Sequence, residues 1–176
     1  MIKFFHKIID VFHEANIPYM LSGSVAMGVY VLPRATRDFD FVVHLQPQHI
    51  DAFVAHFKDD FYCNVNAVKD AVKQQSLFNI IDHASGYKAD FVILKNEEYR
   101  QLEFKRRVLM EYFDKQIYLV SAEDLLLSKL IWIQQLQSGL QMEDIRNLAE
   151  LDNLDWAYIN HWIHQLKLGT FNLLKK

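Results

Sequence analysis

Two short stretches constrain this chain more than any other feature. Phe39-Asp40-Phe41-Val42-Val43 and Ala89-Asp90-Phe91-Val92-Ile93-Leu94 are made of aromatic and β-branched residues, and each carries a carboxylate in its interior. Such residues suit a buried, pleated surface, so both read as strands. Helical periodicity surrounds them. Ile2, Phe5, Ile8, Ile9 and Phe12 predict an amphipathic helix over 2–15, stopped by Asn16-Ile17-Pro18. Residues 19–21 form a further buried strand, 25–31 a helix ending before Pro33, and Pro47 opens a helix to about residue 57. A short strand and a helix over 65–73 follow, then strands over 77–81 and 89–94 about a turn at Ser85-Gly86. A charged helix covers 96–107, and one or two strands cover 108–120. From Ser121 onward only helices are predicted, over 122–137, 142–151 and 155–167. The fold class is therefore α/β with a mixed sheet: a core over 1–120 and a helical C-terminal subdomain over 121–176.

Composition agrees. Only 5 Gly and 3 Pro oppose disorder and a loop-rich all-β fold. A net charge of −3 excludes a generally basic nucleic-acid coat, while leaving room for a local basic patch. The single cysteine, Cys63, makes no internal disulfide and fits a reducing compartment. Charges at Lys3 and Lys7 oppose a signal peptide. The run Leu125 to Ile133, interrupted by Lys129, is about half of the ~20 residues a membrane span needs. A cytoplasmic protein without membrane contact is expected.

In Asp38-Phe39-Asp40, side chains two apart on a strand share a face, so both carboxylates project together while Phe39 turns into the core. Two such charges repel, and a hard cation relieves the conflict. Mg²⁺ takes oxygen ligands, usually one or two carboxylates plus a substrate phosphate. If the strand of Asp90 lies beside the first, Asp90 completes a triangular site. The alternative makes Asp38 a turn residue and Asp40 or Asp90 a salt-bridge partner.

Leu21-Ser22-Gly23-Ser24-Val25-Ala26 runs from strand into helix. Gly23 permits a sharp turn and close ligand approach, and Ser24 stands where helix N–H groups attract anions. Capping is the other reading of Ser24. Thirteen residues, Val25 through Arg37, separate Ser24 from Asp38, room for one helix and a return loop. The phosphate turn and the carboxylates could thus meet at one sheet edge. Arg34 and Arg37 in that loop either face a polyphosphate or neutralise the neighbouring Asp residues.

Gly23-Ser24, the thirteen-residue gap and Asp38-Phe39-Asp40 resemble the signature of the nucleotidyltransferase superfamily, the DNA polymerase β-like fold. The run Gly23-Ser24-Val25-Ala26 to Arg34-Ala35-Thr36-Arg37-Asp38-Phe39-Asp40 is similar to its small bacterial members, including abortive-infection and toxin–antitoxin enzymes. Tyr87-Lys88-Ala89-Asp90-Phe91-Val92 matches the strand of the third carboxylate. Ser24 departs from the second glycine many small members carry. The resemblance covers residues 19–94 and, more weakly, Ser121 to Leu148.

Ser121-Ala122-Glu123-Asp124 is a helix-start signal. Lys129, alone among Leu, Ile and Trp, reads from composition as a snorkelling lysine. The resemblance implies instead that it reaches a nucleoside triphosphate. Asp144 and Arg146 read as bracing residues, and Trp132, Trp156 and Trp162 as packing residues. Lys105-Arg106-Arg107 reads as a solvated face, with an RNA contact as the alternative. His161 and His164 lack the companions that zinc requires.

The implied activity is transfer of a nucleoside monophosphate from an NTP to a hydroxyl on RNA or tRNA, a protein or a small molecule. Asp38, Asp40 and Asp90 would hold Mg²⁺ at a two-metal site, with Mn²⁺ able to substitute, and Gly23, Ser24, Arg34, Arg37 and Lys129 would bind nucleotide. The family likeness also raises a toxin role with a cognate antitoxin. A non-catalytic binding or regulatory module on the same fold is the competing expectation.

Overall fold

The computed structural model describes residues 1–174. The elements run α1 (Ile2–Glu14), β1 (Tyr19–Ser22), α2 (Gly23–Tyr30), β2 (Asp38–Val43) and α3 (Ile50–Ala55, entered through a 3-10 turn at Pro47–His49). Then come β3 (Phe61–Tyr62), α4 (Val65–Gln74), β4 (Leu77–Asp82), β5 (Lys88–Ile93), α5 (Glu98–Lys105), β6 (Val108–Tyr112) and β7 (Lys115–Leu119). The chain closes with α6 (Ala122–Ile133), α7 (Gly139–Ala149) and α8 (Trp156–Gln165).

Among the described residues the sheet has seven strands in the order β3-β4-β5-β2-β1-β7-β6. β2 runs parallel to β5 and antiparallel to β1, while β7 runs parallel to β1. The end of β1, the beginnings of β2 and β5 and the end of β7 therefore share one rim. This rim lies at the ends of the central strands, so the carboxylates and the turn after β1 meet mid-sheet rather than at a lateral edge. Central strands are paired on both sides, which holds their side chains most firmly.

β2 and β5 alternate in burial, with Phe39, Phe41, Val43, Ala89, Phe91 and Ile93 buried on one face. That face meets an aromatic core contributed largely by α1 and α3. Phe12 stacks on Tyr19 at 4.5 Å between ring centroids, Phe78 on Phe91 at 4.9 Å, and Phe5 lies 5.3 Å from Phe39. Each such pair adds about 0.5–1.5 kcal/mol beyond its buried area. The opposite face carries Asp38, Asp40, Lys88 and Asp90, which the two-residue period of a strand dictates.

α6 starts at the N-cap expected, with the Asp124 N–H donating to Ser121 Oγ at 3.2 Å. It stops at Ile133 rather than 137. Trp132 is 58% exposed, against its expected packing role, whereas Trp162 is buried and Trp156 partly so. The Lys105-Arg106-Arg107 triplet is no solvated face. Arg106 Nε donates to Asp124 Oδ2 at 3.0 Å and its guanidinium lies 3.9 Å from the Tyr158 ring centroid, while Arg107 stacks on Phe104 and Tyr118. Only Lys105 of the three is exposed. No helix among the described residues is long and apolar enough to cross a membrane.

Candidate active site

Strand register brings the acidic residues together. Asp40 is the direct cross-strand partner of Asp90, and Asp38 that of Lys88. Ser22 pairs with Asp40 on the other side, and Asn79 of β4 pairs with Asp90. A polar row, Asn79–Asp90–Asp40–Ser22, thus crosses four adjacent strands. Asp38 is the first residue of β2 rather than part of a turn, and its N–H donates to Thr36 Oγ1 at 3.3 Å.

Gly23 turns the chain from β1 into α2 at φ +65°, a left-handed conformation that favours glycine. A Cβ there would lie 1.9 Å from Asp40 Oδ2, so the absence of a side chain is what lets the Asp40 carboxylate rest against the turn. The helix begins at Gly23, one residue ahead of Ser24, and its N-cap Ser22 makes no side-chain capping bond. Ser24 is therefore not the cap. Its hydroxyl instead accepts from Arg34 Nη2 at 2.5 Å. The first N–H groups of α2 are left without a capping side chain beside the carboxylates.

Burial pushes the Asp40 carboxyl above its ordinary value, and the Asp90 and Asp38 carboxylates push it the same way; Lys129 and Lys88 pull against them. Lys88 was not foreseen as a site residue. Its Nζ lies 2.8 Å from Asp90 Oδ2 and 3.8 Å from Asp38 Oδ2, and the hydrogen bond to Asp90 raises its own pKa. The Lys-x-Asp spacing on β5 was the available signal, since residues 88 and 90 share a face. No group of three His, Cys, Asp or Glu side chains among the described residues stands as a ready metal cage. The donor set nevertheless suits a hard cation: hard oxygen ligands, and a partly buried carboxylate crowded by two others.

Lys129 does not snorkel. It is buried, and its Nζ donates to Asp144 Oδ2 at 2.7 Å and to Gln141 Oε1 at 3.1 Å. Arg34 approaches the same carboxylate, with Nε 3.2 Å from Asp144 Oδ1 and Nη2 3.2 Å from Oδ2. Asp144 thus braces α7 against α6 and the return loop, as expected, and Arg34 extends this network to Ser24. Arg146 and Arg37 are exposed. Among the described residues the Arg37 side chain pairs with none of the three carboxylates, and only its carbonyl, accepting from the Lys88 N–H at 3.2 Å, takes part in the site's framework.

This arrangement of strands and helices recurs in solved structures. The lincosamide antibiotic adenylyltransferase LnuA, solved with lincomycin, superposes with a TM-score of 0.54 at 18% identity, over 85% of this chain and 96% of that one. ANT(2")-Ia, solved with adenylyl-2"-tobramycin, gives 0.58 at 12% identity, over 94% of this chain and 96% of that one. The chain has the nucleotidyltransferase fold. An antigenic nucleotidyltransferase-like protein from Paracoccidioides brasiliensis gives 0.52 at 15% identity, over 94% of this chain and 86% of that one. No family model and no curated protein matches the sequence. At these identities the nucleotidyltransferase fold is carried by topology, and the chemistry must be argued from this chain's own side chains.

Proposed function

We propose that the protein is a metal-dependent nucleotidyltransferase that moves a nucleoside monophosphate from an NTP to a hydroxyl acceptor. One observation carries the reading: Asp40 and Asp90 stand in register on neighbouring central strands, with the Asp40 carboxylate seated on the Gly23 turn. Asp38, Asp40 and Asp90 would hold Mg²⁺, or Mn²⁺ in its place. When bound, the ion neutralises phosphate charge and favours the ionised acceptor. The uncapped N–H groups of α2 receive phosphate oxygens, helped by the helix dipole. Arg34 and Lys129, both anchored on Asp144, supply positive charge where pyrophosphate departs. In the step, the acceptor oxygen bonds to the α-phosphorus and the bond to the β-phosphate oxygen breaks. Asp90 takes the acceptor proton, and pyrophosphate carries off the bonding electrons.

A small hydroxylated acceptor is favoured over RNA. Two of the structural neighbours are antibiotic adenylyltransferases. The basic triplet that would suit RNA is mostly engaged within the protein, through Arg106 and Arg107. The test is to incubate purified protein with labelled NTPs, Mg²⁺ and, separately, tobramycin, lincomycin and cellular RNA. Label should pass to a small acceptor with wild type and fall at least about a hundred-fold with Asp40→Asn, the order expected when a preorganised electrostatic group is lost. Equal labelling by the two proteins would overturn the proposal.

The Lys88–Asp90 ion pair favours a second reading, a binding module whose carboxylates are neutralised from within. Calorimetry separates the two: absence of Mg²⁺-dependent NTP binding at millimolar metal supports the module.

A further inference from the structure

Lys88 stands where neither strand nor core requires a lysine. Its chain neighbour Ala89 is buried, while the Lys88 side chain shares the polar face with Asp90 and is directly opposite Asp38. One ammonium therefore touches a carboxylate of each strand, at 2.8 Å on β5 and 3.8 Å on β2. A divalent ion drawing on both strands competes for those same carboxylates. An ammonium and a divalent cation sharing one carboxylate repel each other, so each must weaken the other's hold.

We propose that Lys88 is a built-in counter-ion that closes the carboxylates to free divalent cation and yields them to a cation arriving with a nucleoside triphosphate. This rests on reading Asp38, Asp40 and Asp90 as the cation site. A free ion has to displace the ammonium and leave it beside a double positive charge. A cation bound to triphosphate brings anionic oxygens of its own, and the displaced ammonium, on its flexible four-carbon stem, pairs with them. Lys88 is thus a positioning and selectivity residue: it sets which form of the cation the site accepts. The pair is partly exposed, so the effect is moderate.

The experiment measures binding to the full-length protein of Mn²⁺ alone, and of the Mn²⁺ complex of a non-hydrolysable ATP analogue, by calorimetry. Wild type, Lys88→Met and Asp40→Asn are compared, with melting curves to verify folding; methionine keeps the length and packing of the lysine stem. Lys88→Met should bind Mn²⁺ alone about ten-fold more tightly than wild type, yet bind the Mn²⁺–analogue complex no more tightly. A merely structural role for Lys88 would not move the two affinities apart. Unchanged or weaker binding of Mn²⁺ alone by Lys88→Met overturns the counter-ion role, and an equal gain for both ligands overturns the selectivity for nucleotide-borne cation. If Asp40→Asn binds Mn²⁺ and the complex as wild type does, or if none of the proteins binds either, the cation-site reading itself fails.

Discussion

At the scale of single residues, Gly23 and Asp40 are coupled by contact. Gly23→Ala would set a methyl 1.9 Å from Asp40 Oδ2 on a backbone already at φ +65°. A loss of about 1–3 kcal/mol in stability is expected, with displacement of the Asp40 carboxylate and loss of the proposed transfer activity, read from urea unfolding and label transfer. Asp40 also predicts a pH effect. Its native pKa is raised above the ordinary 3.8, chiefly by burial, so the folded protein keeps this proton where the unfolded chain has lost it. Stability from this group is present below the ordinary value and falls as pH climbs through the native one. Asp40→Asn should therefore melt at a higher temperature than wild type at neutral pH, with the gap closing in acid. Equal melting at neutral pH would show that the carboxylate is not strained. Both consequences were only half legible in the sequence. Gly23 and Asp40 announced themselves as a turn glycine and a strand carboxylate, but their contact depends on the pairing of β1 with β2.

At the scale of elements, the helices after β7 are held by polar hubs as well as by apolar faces. Asp124, fully buried on α6, accepts from Tyr158 Oη at 2.6 Å, Tyr99 Oη at 3.3 Å, Arg106 Nε at 3.0 Å and Ser121 Oγ at 2.8 Å. Burial pushes the Tyr158 hydroxyl well above the usual phenol range, and its bond to Asp124 adds to the rise, so it remains a donor. Tyr158→Phe removes one charge-assisted bond between α8 and α6 and should cost about 1–2 kcal/mol. Faster amide exchange confined to α8 would locate the loss there; no change in α8 would rule out this anchor. The start of α6 was readable because a capping motif is local. The hub was not, since Tyr99, Arg106 and Tyr158 reach Asp124 from α5, the α5–β6 loop and α8.

For the whole molecule, Asp144 joins distant parts of the chain. It is buried with Lys129 beneath it and Arg34 across it, so one carboxylate links α7, α6 and the loop before β2. Asp144→Ala strands the Lys129 ammonium in the interior and should cost about 3–5 kcal/mol, whereas the Asp144→Leu/Lys129→Met pair should recover much of that loss. Chemical denaturation of the three proteins checks this. If the double variant is no better than the single, the loss does not come from the stranded Lys129 charge.

What the sequence determined by itself is the kind and order of elements, and the positions at which acid interrupts apolar strand. Hydrophobic period, caps and turn residues act over a few neighbours, so they are written where they act. The tertiary structure alone decided the companions of those acids. Lys88 bridges Asp90 and Asp38 because β5 lies parallel to β2 in one register, and a slip by a single residue would turn it to the other face. Lys129 became a buried partner of Asp144, not a surface lysine, because α7 folds back over α6. Charge pairs form across space between segments remote in the chain, and no local pattern records which of them will meet.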